Sequence, residues 1–183
     1  MNTDMQDARS IQASELRLSV HDSIHHVDSD HWQSFADSAS LFLRYDYLVA
    51  LEDTMGDSMQ FRYVLYYCPD HQLVGLAYFQ VVWFEDNDSE YQDAVEGIGP
   101  GIGKSIIKEK KVRTLVNGNV FHCGEHGFHF NEHVLFADRL LAIDYTFQRL
   151  KGDEGVKPKV SAFLIKDIWP EHDEPLQALL GRS

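Results

Sequence analysis

Cysteine is scarce in this chain: Cys68 and Cys123 are the only two, too few to staple a small secreted scaffold and in keeping with a reducing, cytoplasmic setting. Long apolar runs are missing as well. No stretch reaches the roughly 18 to 20 residues of a membrane-spanning helix, and the polar start from Met1 to Ser14 lacks the apolar segment of a signal peptide. Basic charge is in short supply, with 16 Lys and Arg against 29 Asp and Glu and a formal charge of -13, a balance that repels phosphate backbones and anionic lipid. Lys104, Lys108, Lys110, Lys111 and Arg113 make the one basic patch. It has no interleaved aromatics on which bases could stack, so it reads as a solvated face and no nucleic-acid partner is expected. Internal repeats, low-complexity tracts and an interdomain linker are absent too.

What remains is a chain of 183 residues, 44% hydrophobic and 12% aromatic, long enough for one domain with a real core. Residues 1–14 are polar and expected to fray. Glu15 to Ile24 alternates Leu16, Leu18 and Val20 with Arg17 and Ser19, the period of a half-buried strand. Ser29 or Asp30 is available to cap a helix carrying Trp32 and Phe35 inward. Asp37, Ser38 or Ser40 can cap a second helix over Leu41 to Met55, with Gly56 placed to end it. Phe61 to Tyr67 and Leu73 to Phe84 form a hairpin around a Pro-containing turn, and the second strand is apolar enough to lie centrally. Glu85 to Asp93 is an acidic loop.

Gly97-Ile-Gly-Pro-Gly-Ile-Gly-Lys-Ser looks like a phosphate-binding loop, but Ile98 stands where that pattern needs its first glycine. The segment also follows an acidic loop instead of a strand, so it reads as a flexible connection into a short basic helix. Val112 to Phe130 reads as a buried strand that ends in a loop rich in Gly, Asn and His. It feeds a helix from Glu132 to Leu150, with Asn131 as its N-cap. A helix N-terminus offers unpaired N–H groups to an anionic or acyl ligand, which makes this junction the first place to look for a site. Val160 to Ile165 is a further strand, and Pro175 to Leu180 begins a last helix.

Two polar groupings invite chemistry. Glu125 and His126 are general-base candidates, because a carboxylate or imidazole in a partly buried loop can have its pKa moved toward neutrality; otherwise they are a loop carboxylate and a surface histidine. Tyr45, Asp46 and Tyr47 could bind an amine, or serve as aromatic packing beside a solvated Asp. His122, Cys123, His126, His129 and His133 crowd into twelve residues. Zinc needs ligands converging from fixed geometry, H-E-x-x-H is absent, and His122 and Cys123 would point to opposite faces of a strand, so no metal is expected. Cys68 and Cys123 read as buried small hydrophobes, and Trp32, Trp83 and Trp169 as core and core edge.

Strand, two helices, hairpin, strand, helix, strand and a broken-off helix is the order of elements in the GNAT acyltransferase fold. F-L-R-Y-D-Y-L-V-A-L-E, L-V-N-G-N-V-F-H-C-G-E-H-G-F and V-S-A-F-L-I-K-D-I resemble segments of bacterial GNAT-like N-acyltransferases of the peptidoglycan-biosynthesis type, related to the Fem peptidyltransferases. The resemblance covers about residues 15 to 180. It implies an α/β (α+β) fold with a mixed, largely antiparallel central sheet flanked by helices and incomplete at its C-terminus. Residues 15–183 would then be one GNAT-like domain, the N-terminal half of a tandem pair, with a C-terminal half or a homodimer partner covering the sheet edge at Val160 to Ile165.

The activity so implied is transfer of an acyl or aminoacyl group from an activated carrier such as acyl-CoA to an amine of a small molecule or peptidoglycan precursor. Backbone donors around Asn117, Gly118, Asn119, Gly124 and Gly127 would hold the carrier, Tyr45 and Asp46 the acceptor, and Glu125 or His126 would take the proton. Acetyl-CoA-binding members usually carry Gln or Arg, two residues, Gly, one residue, then Gly or Ala where the fourth strand meets its helix. Here the chain reads Phe121-His-Cys-Gly124-Glu-His-Gly127. The competing expectation is a non-catalytic binding or assembly module on the same fold.

Overall fold

A computed structural model describes residues 10–85, 111–124, 127–156, 159–166 and 168. They form a mixed α/β structure built on one open, mostly antiparallel sheet, with three helices among the described residues. The strands are β1 (Arg17–His21), β2 (Gln60–Tyr67), β3 (Leu73–Glu85), β4 (Lys111–Asn117), β5 (Phe128–Phe130) and β6 (Ala162–Ile165); the helices are α1 (Ser29–Ala36), α2 (Tyr45–Met55) and α3 (Phe136–Lys151). Sheet order is β1-β2-β3-β4-β6, with β5 also on β3. Among the described strands every pairing is antiparallel except β4 with β6. That one parallel pair is joined through α3, as a parallel pair must be by a crossover.

Strand alternation sorts the core into two layers. On β2, Val64 and Tyr66 face α3 and pack with Ile143 and Phe147, while Tyr63 and Leu65 face α1 and α2 and pack with Trp32 and Leu48. Trp32 is fully buried and its indole N–H donates to the Leu43 carbonyl at 2.7 Å, so the polar atom of the largest core side chain is not stranded. Across the other layer the Tyr66 and Thr146 hydroxyls share a buried hydrogen bond of 2.6 Å, a contact that contributes about 1 kcal/mol net.

Several expected boundaries move, each for a local reason. Asp28, not Ser29 or Asp30, caps α1, its carboxylate accepting from the His31 N–H at 2.7 Å. The helix expected over Leu41 to Met55 is broken at Arg44. Leu41–Leu43 form a separate 3-10 turn, and the Tyr45 N–H that begins α2 donates to Gln33 Oε1 of α1 at 3.0 Å. Asn131 does not cap α3: its side chain accepts from His133 N–H in a turn of its own, and the helix starts at Phe136. Arg139 holds that turn by donating to the carbonyls of Val134 at 2.7 Å and Asn131 at 3.1 Å. Ile11 N–H donates to His133 O at 2.8 Å and Ala13 N–H to Asp138 Oδ1 at 2.9 Å, joining this part of the N-terminal segment to the turn before α3 and to its first turn.

The largest departure is in Val112 to Phe130, which is two strands and not one. β4 pairs with β3 from Lys111↔Glu85 to Asn117↔Phe79, the chain leaves the sheet at Gly118, and after Gly127 it resumes along the same edge with Phe128↔Ala77. The base of this excursion is closed by the Asn117 amide, whose Nδ2 donates to the carbonyls of Tyr78 at 3.1 Å and Gly127 at 3.0 Å. Gly118 has φ 111°, a conformation that side chains rarely adopt. A Cβ on Gly127 would sit 2.7 Å from the Gly118 nitrogen and 2.8 Å from the Asn117 carbonyl carbon. Trp83, on β3 past its last pairing with β2, is 48% exposed with the Arg113 guanidinium 5.7 Å from its ring centre. Trp169 lies outside the described residues. No helix among the described residues is long and apolar enough to cross a membrane.

Candidate functional site

The excursion folds over the α2 side of β3 and makes a groove with α2. Tyr47, Ala50, Leu51, Thr54 and Met55 recur at i, i+3, i+4, i+7 and i+8, so they form one stripe along the helix. Phe121 and His122 form the opposite wall, enclosing about 390 Å³. The groove is mostly apolar, and Phe121 at its lip is 53% exposed.

Two side chains give the groove chemistry. Asn119, fully buried, donates through Nδ2 to the Tyr47 hydroxyl oxygen at 2.6 Å. Burial raises the Tyr47 pKa and the Asn119 hydrogen bond only partly offsets this, so the phenol keeps its proton and remains a donor. The His122 ring stacks on Phe42 with centroids 4.5 Å apart and lies 6.3 Å from the Tyr47 ring. The Lys166 ammonium, just past the end of β6, donates to the His122 carbonyl and ties the excursion to the parallel strand pair.

A layer of neutral polar groups supports the excursion from below. Gln80, fully buried on β3, accepts the Val120 N–H through Oε1 at 2.9 Å, and Asn119 Oδ1 accepts the Phe121 N–H at 2.8 Å. Among the described residues Gln80 Nε2 and the Tyr78 hydroxyl make no well-formed hydrogen bond, although Tyr78 faces Asn119 and burial drives its pKa far up. Two protonated or N–H donors are therefore held in reserve under the groove, a costly arrangement in an interior where nearly all polar groups are paired.

The residues singled out from sequence divide clearly. Asn117, Gly118 and Gly127 meet at the base of the excursion, where their polar groups close the loop on itself. Asn119 reaches the groove through Tyr47. Gly124 has φ 113° near the tip. Glu125 and His126 lie outside the described residues. Of the three residues at the start of α2, Tyr45 turns its hydroxyl to the Ile24 carbonyl at 3.3 Å, Asp46 is exposed, and Tyr47 lines the groove. Cys68 is buried as expected, whereas Cys123 is exposed, because it sits in the excursion and not on a strand. Among the described residues no three His, Cys, Asp or Glu side chains gather to hold a metal ion; His129 lies on β5 against Phe35 and Ser38.

The strand-to-helix junction expected to receive an anion is partly occupied by the chain itself, although Leu135 and Ala137 at the start of α3 are exposed. Residues 11–13 bond to His133 and Asp138, and Asp138 puts a negative charge in the first turn of α3. The residues not singled out from sequence are Phe42, Gln80, Phe121 and Lys166, together with His122, weighed there only as a metal ligand. The helical stripe beginning at Tyr47 was the available signal. Compared with family models, with curated protein sequences and with solved structures, the chain finds no match in any of the three.

Proposed function

We propose that the chain is an N-acyltransferase-type domain, GNAT-like in topology, that transfers an acyl or aminoacyl group from an activated carrier to an amine in the groove between α2 and the excursion. The observation that carries this reading is the pairing of a proton-holding phenol, Tyr47, with an imidazole, His122, on the walls of one apolar groove. The single parallel pair β4 and β6, reached through α3 after an antiparallel run, adds support, since it follows the element order of that fold. The amine's nitrogen attacks the acyl carbonyl, His122 takes the proton lost from nitrogen, and the Tyr47 O–H donates to the carbonyl oxygen or to the departing group. Ala50, Leu51 and Phe121 supply the apolar wall for an acyl chain.

Calorimetry of acetyl-CoA and longer acyl-CoAs, followed by turnover with amine acceptors of the peptidoglycan-precursor kind, tests the proposal. Tyr47→Phe and His122→Gln should each lower kcat/KM by about 100-fold, the scale of a positioned acid or base. If neither this chain nor a longer natural version of it binds an acyl carrier, the acyl-CoA form of the reading is lost.

A second reading, a non-catalytic binding or assembly module, is favoured by one observation. The start of α3, where a carrier's phosphates would be expected, is packed with residues 11–13 and with the Arg139 guanidinium. Turnover by the isolated chain excludes it.

A further inference from the structure

Arg62, on the α3 side of β2, lines two cavities. The larger encloses about 620 Å³ among Val20, Asp22, Arg149, Leu150 and Asp153. The smaller encloses about 280 Å³ and has Glu52 and Met59 in its wall. Arg62 is 4% exposed. A guanidinium carries five N–H donors, yet among the described residues Arg62 makes one hydrogen bond, from Nη1 to the Phe61 carbonyl at 2.6 Å, and its buried Nε makes none. Asp153 Oδ2 is 3.6 Å from that Nε, in ionic contact but beyond hydrogen-bond reach. The other Asp153 oxygen accepts the Gly155 N–H at 2.7 Å.

The remaining acids do not complete the pairing. Both Glu52 oxygens are taken, by the Ser23 hydroxyl at 2.6 Å and the Ile24 N–H at 2.8 Å. Asp22 is held by His26 at 2.9 Å on the surface. Arg149 adds a second cation to the larger cavity. A buried charge is normally matched by a close, hydrogen-bonded partner, and Arg62 faces open space with most of its donors unused.

We propose that this cavity is a binding site for a small molecule with an oxyanion head, a carboxylate or a phosphate, received by the guanidinium groups of Arg62 and Arg149 with its apolar part against Val20 and Leu150. The planar fork of arginine suits both heads, since each offers two oxygens at matching spacing. The volume exceeds what a lone ion would fill, which favours an organic anion. Asp153 is then the carboxylate a ligand displaces or shares, and the site is independent of the groove on the other face.

The test is calorimetry and thermal shift on the full chain with inorganic phosphate, acetate and butyrate, at ionic strength held constant with chloride. The expected result is saturable binding of phosphate or of the carboxylates, whichever head the site prefers, with butyrate ahead of acetate if the carboxylate arm wins. Arg62→Met should weaken binding at least tenfold. Because Arg62 is buried, two rim variants keep the test independent of its folding: Arg149→Gln should weaken binding at least threefold, and Asp153→Asn should strengthen it by a similar factor. A merely structural Arg62–Asp153 pair predicts no gain of affinity in Asp153→Asn. Absence of saturable binding by all three anions, or binding unchanged in both rim variants, overturns the proposal.

Discussion

The two faces of the sheet differ in the charge of the polar side chains they bury. Toward α1 and α2 the buried polar groups are neutral: Gln80 and Asn119, with Tyr47 and Tyr78 beside them, joined mostly to each other and to the excursion backbone. Toward α3 the Tyr66–Thr146 hydroxyl pair is neutral too, but that face also buries two cations, Arg62 and Arg113, the latter donating to the Val156 carbonyl at 2.7 Å and to Gln60 Oε1 at 2.6 Å. Neutral amides can be satisfied by fixed backbone, so that face spends its polar groups on shaping a loop and leaves an apolar groove. A guanidinium asks for a negative partner, and that face keeps open volume beside Arg62. The contrast teaches that burial of polar groups can serve geometry on one side of a sheet and attraction on the other.

The sharpest way to break the contrast is a pair of glycine substitutions. In Gly127→Ala the new Cβ meets backbone at 2.7 and 2.8 Å, whereas in Gly155→Ala it meets the side-chain nitrogen Nη2 of Arg62 at 2.9 Å. Backbone cannot yield as a side chain can, so Gly127→Ala should cost about 3 kcal/mol and Gly155→Ala about 1 kcal/mol in urea unfolding. Equal losses would show that the base of the excursion is softer than its contacts imply. Next in size is Asn117→Ala, which removes two buried hydrogen bonds and leaves the Tyr78 and Gly127 carbonyls with one backbone donor each; it should cost about 2 kcal/mol. Loss of protection in amide exchange around Gly127 should accompany it.

The smallest effect separates the faces by pH. His21 and His129 both lie on the α1–α2 side, and burial, aided by His26 in one case and Arg139 in the other, holds each below the ordinary 6.5. The unfolded chain then binds more protons than the folded one below about pH 6.5, so stability falls as pH drops through that window. Asp22, at the mouth of the Arg62 cavity, behaves differently. Its hydrogen bond to His26, with a smaller contribution from Arg62, keeps its pKa below the ordinary 3.8, and its stabilisation is lost only as pH falls below that value. Thermal unfolding followed from neutral to acid pH should show a first decline that His129→Gln and His21→Gln reduce, and a second that Asp22→Asn removes. A first decline unchanged in both histidine variants would locate it elsewhere.

Much of the sheet was legible in the sequence. Phe61 to Tyr67 and Leu73 to Phe84 are runs of strand-forming residues on either side of a proline turn, and the hairpin follows from local chemistry alone. The pairing of Phe128–Phe130 with Gly75–Ala77 was not legible, because nothing in F-H-F announces a partner fifty residues earlier. The start of α3 misleads for a related reason: Asn131 is a residue type that caps helices and closes turns with the same oxygen, and Arg139 decides between them from outside the local window. At the site, the hydroxyls and carboxylate of Tyr45, Asp46 and Tyr47 pointed to α2 but not to which of the three would face the groove. Arg62 is the hardest case. Flanked by Phe61 and Tyr63 it alternates like a solvent-facing residue, and only the packing of α3 and the Glu154–Val156 turn buries it.

One consequence of β3 concerns the order in which the molecule comes apart. This strand of 13 residues holds β2 along one edge and, in tandem, β4 and β5 along the other. Every route to global opening has to release it, so its amides should be the slowest to exchange in the protein. The tandem arrangement also allows a partial opening, since β5 uses Gly75 to Ala77 while β4 uses Phe79 to Glu85. Releasing β5 would swing one side of the excursion, and with it the wall of the groove, while the hairpin and the parallel pair stay intact. Groove width and sub-global unfolding are then two readings of a single equilibrium, one that a bound ligand would shift toward the closed form.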